Sequence, residues 1–187
     1  MSMLKIHDEN SAQPQAGKIL EGVKQSAGFV PNIFGVTANS PTALEAFATL
    51  NAKFAESAFN AIEREVIQLT ISAMNGCGYC VAGHTLFAQM HGADDALVYA
   101  IRNNLPIADK KLSTLHDFTQ SLLDNKGRVS DAEFASFLAV GYKEEQVLEL
   151  ILGISLKIFA NLTSNFNKIE LDQAFQPFLW EKVQTAA

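Results

Sequence analysis

Residues 65–84 read EVIQLTISAMNGCGYCVAGH, and the fold reading turns on them. Ile62, Val66, Leu69 and Ala73 recur on one helical face, while Ile67, Ile71 and Met74 fall on another. So wide an apolar surface belongs to a helix buried in a core. Asn75-Gly76 ends it, because glycine enters the left-handed conformation without steric cost. Cys77 then begins a turn, and a second helix is expected from about Tyr79 to His91, stopped by Gly92. The stretch is helix, turn, helix, with both cysteines of the chain at the turn.

Similar punctuation recurs on both sides. Residues 1–11 are polar; Ile19, Leu20 and Val23 then mark a helix that ends before Gly28. Gly28-Phe-Val-Pro-Asn-Ile-Phe-Gly35 reads as a loop whose large apolar side chains wall a pocket, Phe29 and Phe34 among them. Ser40-Pro41 starts a helix striped with Leu44, Phe47, Leu50 and Phe54, and Asn60 with Glu63 makes a capping box for the central helix. Beyond Gly92 come a short helix at Asp94 to Arg102 and another carrying Leu112, Leu115, Thr119 and Leu122, closed by Lys126-Gly127. A second capping box, Ser130 with Glu133, opens a helix that Gly141 ends. Lys143 to about Ala160 is the most apolar helix, broken by Glu149 and Lys157 and read as too short to span a membrane. Glu170 to Trp180 is a weak helix interrupted by Pro177. With no strand alternation, the expected class is all-α, a compact helical bundle with short connections. A three-helix rhythm on each side of Pro106 carries too little identity to make a repeat.

The 187 residues fit one domain, 1–187. With 48% hydrophobic and 18% charged residues, the surface is expected to include an apolar face covered by further copies of the chain. A net charge of -6 without a basic cluster argues against nucleic acid and anionic membranes as partners. MSMLKIHDEN lacks the apolar core of a signal peptide, so the cytoplasm is the expected compartment. Thiols are kept reduced there, and a close pair reads as catalytic or metal-binding rather than as a staple.

Cys77 and Cys80 stand two residues apart, and His84 follows one helical turn after Cys80. A free thiol is only a few per cent thiolate at neutral pH. Cys80 sits in the first turn of the expected helix, where unpaired N–H groups favour an anion, so it is the better nucleophile candidate. Cys77 is placed to give up a proton or to attack an oxidised Cys80. Glu65 lies twelve residues before Cys77, about 18 Å of helix, so it reaches the site only if the chain reverses at Asn75-Gly76. It otherwise points outward beside Glu63 and Arg64. Rival readings are a pair of inert buried thiols, a zinc site of Cys77, Cys80, His84 and His91, and a helical oligomer whose cysteines only sense oxidants. His91 also reads as a helix-end histidine; His7 and His116 are expected in solvent, and Tyr79 is expected to pack its ring. Asn161-Leu-Thr163 matches a glycosylation acceptor, a chance match in the cytoplasm.

The spacing Glu65, eleven residues, Cys77, two, Cys80, three, His84, with Gly28-Phe-Val-Pro-Asn and Asn-Gly-Cys-Gly-Tyr-Cys, resembles AhpD-type alkylhydroperoxidases. These belong to the carboxymuconolactone decarboxylase-like family, and the motifs are similar to its peroxidase-related branch across a core of about residues 18–175. The resemblance implies an all-helical AhpD-like domain assembled as trimers or hexamers. It implies a peroxidase that reduces hydrogen peroxide or organic hydroperoxides through a sulfenic acid and a disulfide, with a separate dithiol reductant. Cys80 would carry the sulfenic acid, Cys77 would resolve it, and Glu65 with His84 would relay protons. Tyr79, Phe29 and Phe34 would border the substrate. No cofactor beyond the redox-active Cys77–Cys80 pair and no metal is implied. Tyr79 departs from the AhpD pattern, which commonly has histidine before the second cysteine. General dithiol–disulfide exchange is the alternative activity; lactone decarboxylases lack the cysteine pair.

Overall fold

Most helices begin where a short side chain takes one of the N–H groups that a helix start leaves without a partner. The computed structural model describes residues 2–182. It comprises α1 (Pro14–Ala27), α2 (Asn32–Thr37), α3 (Pro41–Ala55), α4 (Ala61–Met74), α5 (Gly78–Met90), α6 (Asp95–Arg102), α7 (Lys110–Asp124), α8 (Asp131–Ala139), α9 (Glu144–Asn167) and a 3₁₀-helix, Gln173–Phe178. No strand occurs among the described residues. Ser40 caps α3, and both capping boxes form: Asn60 with Glu63 at α4 and Ser130 with Glu133 at α8. Gly28 and Gly76 take positive φ where α1 and α4 end.

Helix α4 is the centre of the bundle. Its broad apolar surface is enclosed by α5, α6, α7 and α9, which leaves Val66, Ile67, Leu69 and Ile71 within 1% of full burial. Helix α9 runs along α4 and α3 and approaches α3 so closely that a Cβ on Gly153 would lie 2.6 Å from the Phe54 ring. The 3₁₀-helix packs on α5, where the Phe175 ring occupies the space a Cβ on Gly83 would need. The reversal at Asn75–Gly76 folds α5 back along α4, so side chains far apart in sequence face one another.

Five readings are corrected. The segment 28–35 is only half a loop, because α2 starts at Asn32; its N–H donates to the Asp172 carboxylate at 3.1 Å, a cap supplied from 140 residues away. Helix α9 continues past Ala160 to Asn167, since Asn161, Ser164 and Asn167 are buried with distant partners: Asn75 donates to Asn161 and the Leu4 N–H to Asn167. At 24 residues, with an 18-residue stretch of mean hydropathy 1.5, it is by length and composition long and apolar enough to cross a membrane, contrary to the sequence reading. Here it is a core helix packed on α2, α3, α4, α5 and α7. The segment Gln173–Phe178 turns as 3₁₀ around Pro177, which lacks an amide proton for an α-helical bond. Finally, His116 is buried rather than solvated. The Thr70 hydroxyl donates to the Val66 carbonyl, so the His116 Nδ1–H donates to Thr70 Oγ1 at 2.8 Å. His7 also has a partner, the Ser11 carbonyl at 2.9 Å.

Because the α3–α9 contact leaves no room at Gly153, Gly153→Ala is expected to destabilise the protein by about 1–3 kcal/mol, the usual cost of overpacking. Chemical denaturation checks this; a midpoint equal to wild type would show that the Phe54 ring can yield.

Candidate active site

Cys77 is the N-cap of α5, and its sulfur accepts the Cys80 backbone N–H at 3.3 Å. Both cysteines are free, with sulfurs 2.6 Å apart. The charge distribution reverses the sequence reading, which placed the anion on Cys80. The helix-terminal N–H serves Cys77 instead. The hydrogen bond with the Cys80 thiol pulls Cys77 down to about 6 against its burial, helped by Ser164, the Cys80 N–H and the charge of Lys157. Burial pushes Cys80 well up, and sharing a proton with Cys77 adds to that. Within the pair the anion is therefore favoured on Cys77 and the proton on Cys80. Access runs the other way: Cys77 is wholly enclosed, whereas Cys80 borders a cavity.

Glu65 points inward across the α4–α5 reversal, and its carboxylate lies 2.7 Å from His84 Nδ1. Nδ1 must then carry the ring proton, which leaves Nε2 as the acceptor. Lys157 of α9 fills that position, with Nζ 2.5 Å from Nε2. Burial holds His84 below the usual imidazole range, and the Lys157 charge lowers it further against the pull of Glu65. Burial also lowers Lys157, while Cys80, Cys77 and Glu65 favour its charged form. The sequence reading missed Lys157 and took it for an interruption of an apolar helix. Its signal was there: a cation at the centre of the most apolar helix needs partners.

The cavity beside Cys80 has a volume of about 350 Å³. Rings of Phe34, Phe47, Phe87 and Phe175 form much of its wall, and its titratable groups are Tyr79, Cys80, His84 and Lys157. Phe34 and Tyr79 border it as expected. Phe29 does not: it packs edge-on against Phe175, 6.0 Å between centroids, behind the wall, because α2 turns the chain there. Tyr79 does more than pack. Its hydroxyl donates to Asp172 at 2.6 Å and accepts the Ile33 N–H at 3.2 Å, and burial then Asp172 push the phenol far up. Asp172, missed in the sequence, is itself raised by burial. The zinc reading fails on arrangement: His84 is engaged by Glu65 and Lys157, and His91 caps the end of α5 in solvent. Among the described residues no three His, Cys, Asp or Glu side chains are grouped to hold a metal.

The sequence profile of the carboxymuconolactone decarboxylase family matches residues 41–110, the segment that contains Glu65, Cys77, Cys80 and His84. Over that segment the chain is similar to the carboxymuconolactone decarboxylase family. An uncharacterised Bacillus subtilis (strain 168) protein, YdfG, is 28% identical over 120 residues, 62% of this chain and 76% of its own. An AhpD-core, peroxidase-related protein from Ralstonia eutropha JMP134 superposes with a TM-score of 0.84 at 21% identity, covering 93% of this chain and 94% of that one. A variant of the debrominase Bmp8 in complex with 2,3,4-tribromopyrrole gives 0.78 at 17% identity, covering 95% of both chains. These likenesses establish the AhpD-like fold. The family segment stops short of Lys157 and Asp172, which enter the site from outside it.

One thiolate per chain is expected to appear in ultraviolet titration with a midpoint near pH 6, because Cys77 titrates at about 6. The signal should vanish in Cys77→Ser, leaving only a Cys80 thiolate at much higher pH. A midpoint near the free-thiol value of about 8.5 would contradict the charge distribution.

Proposed function

We propose that the protein is a thiol-dependent peroxidase that reduces hydrogen peroxide or an organic hydroperoxide with electrons from the Cys77–Cys80 dithiol. The observation that carries this reading is the placement of Cys80: a thiol at the wall of a largely apolar cavity, with a resident thiolate 2.6 Å behind it. Cys77 takes the Cys80 proton, and the Cys80 thiolate attacks the terminal peroxide oxygen to give a sulfenic acid and an alcohol. Cys77 then attacks the Cys80 sulfur and displaces water, which closes the disulfide. Thiol, thiolate, one further proton and hydroperoxide thus become disulfide, alcohol and water. Glu65 fixes the His84 tautomer, and His84 holds Lys157 beside the cavity. A second dithiol protein or small dithiol returns the pair to its reduced state.

A second reading draws on the cavity. Its rings suit a flat halogenated heterocycle such as the one bound by the debrominase neighbour, and the same dithiol could replace a carbon–bromine bond by carbon–hydrogen, releasing bromide and the disulfide. Peroxide consumption against bromide release from tribromopyrrole separates the two. We further propose that the chain assembles with copies of itself through the outer face of α9. Leu148 is 72% exposed there, and Leu162 and Phe166 are exposed beyond it.

Mild peroxide is expected to remove two hydrogens from the wild-type mass and to consume peroxide when a dithiol is supplied. Cys80→Ser should abolish sulfenic-acid trapping, and in Cys77→Ser the sulfenic acid should form more slowly, since the base is gone, but persist once formed. His84→Ala should slow attack by about 10²-fold, the size of a disrupted proton-transfer step. Sulfenic-acid labelling of Cys77 in Cys80→Ser at the wild-type rate would reverse the order of roles. A light-scattering mass of a single chain at micromolar concentration would rule out the oligomer.

A further inference from the structure

Reduction of a hydroperoxide consumes two protons along with two electrons, and the resting cysteine pair holds only one. The Cys77 sulfur accepts the Cys80 N–H at 3.3 Å, which favours the anion there, and the thiol proton is shared across the 2.6 Å between the two sulfurs. That proton serves to create the attacking thiolate. The leaving oxygen needs another, and an alkoxide or hydroxide expelled into a largely apolar cavity has little water to supply it. Three titratable groups other than Cys80 border the cavity. The Tyr79 hydroxyl proton is committed to Asp172, and the His84 proton to Glu65. Lys157 remains: an ammonium carries three donors, and His84 Nε2 engages one of them.

Resting on the peroxidase reading, we propose that Lys157 is the catalytic acid, whose ammonium protonates the oxygen that leaves when Cys80 attacks. The inventory then closes. Cys80 passes its proton to Cys77; the Cys80 thiolate bonds to the terminal peroxide oxygen, the O–O bond breaks, and the alkoxide takes a proton from Lys157. The neutral amine recovers a proton from the Cys77 thiol, which regenerates the Cys77 thiolate for attack on the sulfenic acid. Hydroxide leaves from sulfur and takes the Lys157 proton a second time. Disulfide, alcohol, water and a neutral lysine result, and the reducing dithiol restores two protons with its two electrons, one to Cys80 and one to Lys157. The disappearance of the thiolate balances the loss of the lysine charge, so no net charge is left in the interior.

The test compares two oxidants that differ in their need for a proton. tert-Butyl hydroperoxide expels a strongly basic alkoxide, and peracetic acid expels a carboxylate that is stable without protonation. Single-turnover oxidation of Cys80 is followed in wild type, Lys157→Met and Lys157→Arg; arginine keeps the charge but does not release a proton. In both variants the tert-butyl hydroperoxide rate is expected to fall by about 10²-fold or more, and the peracetic acid rate by less than about tenfold. Equal losses with the two oxidants, no loss with either, or a wild-type tert-butyl hydroperoxide rate in Lys157→Arg overturns the proposal. Should Lys157→Met fail to fold, the ratio of the two rates in Lys157→Arg decides. A wild-type Cys80 that reacts with neither oxidant sinks the peroxidase reading itself, whereas a reactive wild type with an unchanged ratio in the variants sinks only the role of Lys157.

Discussion

The contact between Lys157 and His84 is the constraint around which the interior is arranged. An ion taken out of water costs several kcal/mol even after the protein relaxes, and a lysine in the middle of an apolar bundle must recover that cost locally. Lys157 does so through His84 Nε2, through the two sulfurs and through Glu65. The dependence is mutual. The lysine charge helps hold a proton off Cys77, and the Cys77 anion helps hold a proton on the lysine. The charge states of His84, Lys157, Cys77 and Cys80 therefore depend on one another.

Such coupling needs three helices in fixed register. The capping box at Asn60 and the left-handed Gly76 set where α4 begins and ends, which aims Glu65 at His84 across the reversal. Helix α9 brings Lys157, and Gly153 one turn earlier lets it lie against α3 with only a glycine at the crossing. Asn161 and Ser164, on the following turns of α9, meet Cys80 and Cys77. One helix thus supplies the cation and two of the sulfurs' hydrogen-bond partners, which explains why Lys157, Asn161 and Ser164 are enclosed while Leu148 and Leu162 face outward.

Local signals made most of the bundle legible. Ser40-Pro41, the two capping boxes and Asn75-Gly76 act on neighbouring backbone, so the sequence alone locates them. Helix α2 was missed because its cap, Asp172, lies far along the chain, and the end of α9 because Asn161, Ser164 and Asn167 look like surface until their partners are known. Cys77, Cys80 and His84 were legible from spacing, and Glu65 from the family pattern. Which sulfur bears the charge was not, since that depends on one N–H direction and on a lysine from another helix. Lys157 and Asp172 act through tertiary neighbours, and a carboxylate or an ammonium alone in a sequence does not disclose what it will face.

Asp172 joins three distant points of the chain: it takes the Tyr79 hydroxyl and caps the helix that carries Ile33 and Phe34, three residues before Phe175. Part of the cavity wall is thereby assembled from near the two ends of the chain, whereas the cysteines and the groups that partner them come from α4, α5 and α9. The two inheritances are separable. Substitutions at Phe34 or Phe175 can reshape what the cavity admits while leaving the dithiol and its lysine untouched, so a lineage built on this plan can change its diet without relearning its chemistry.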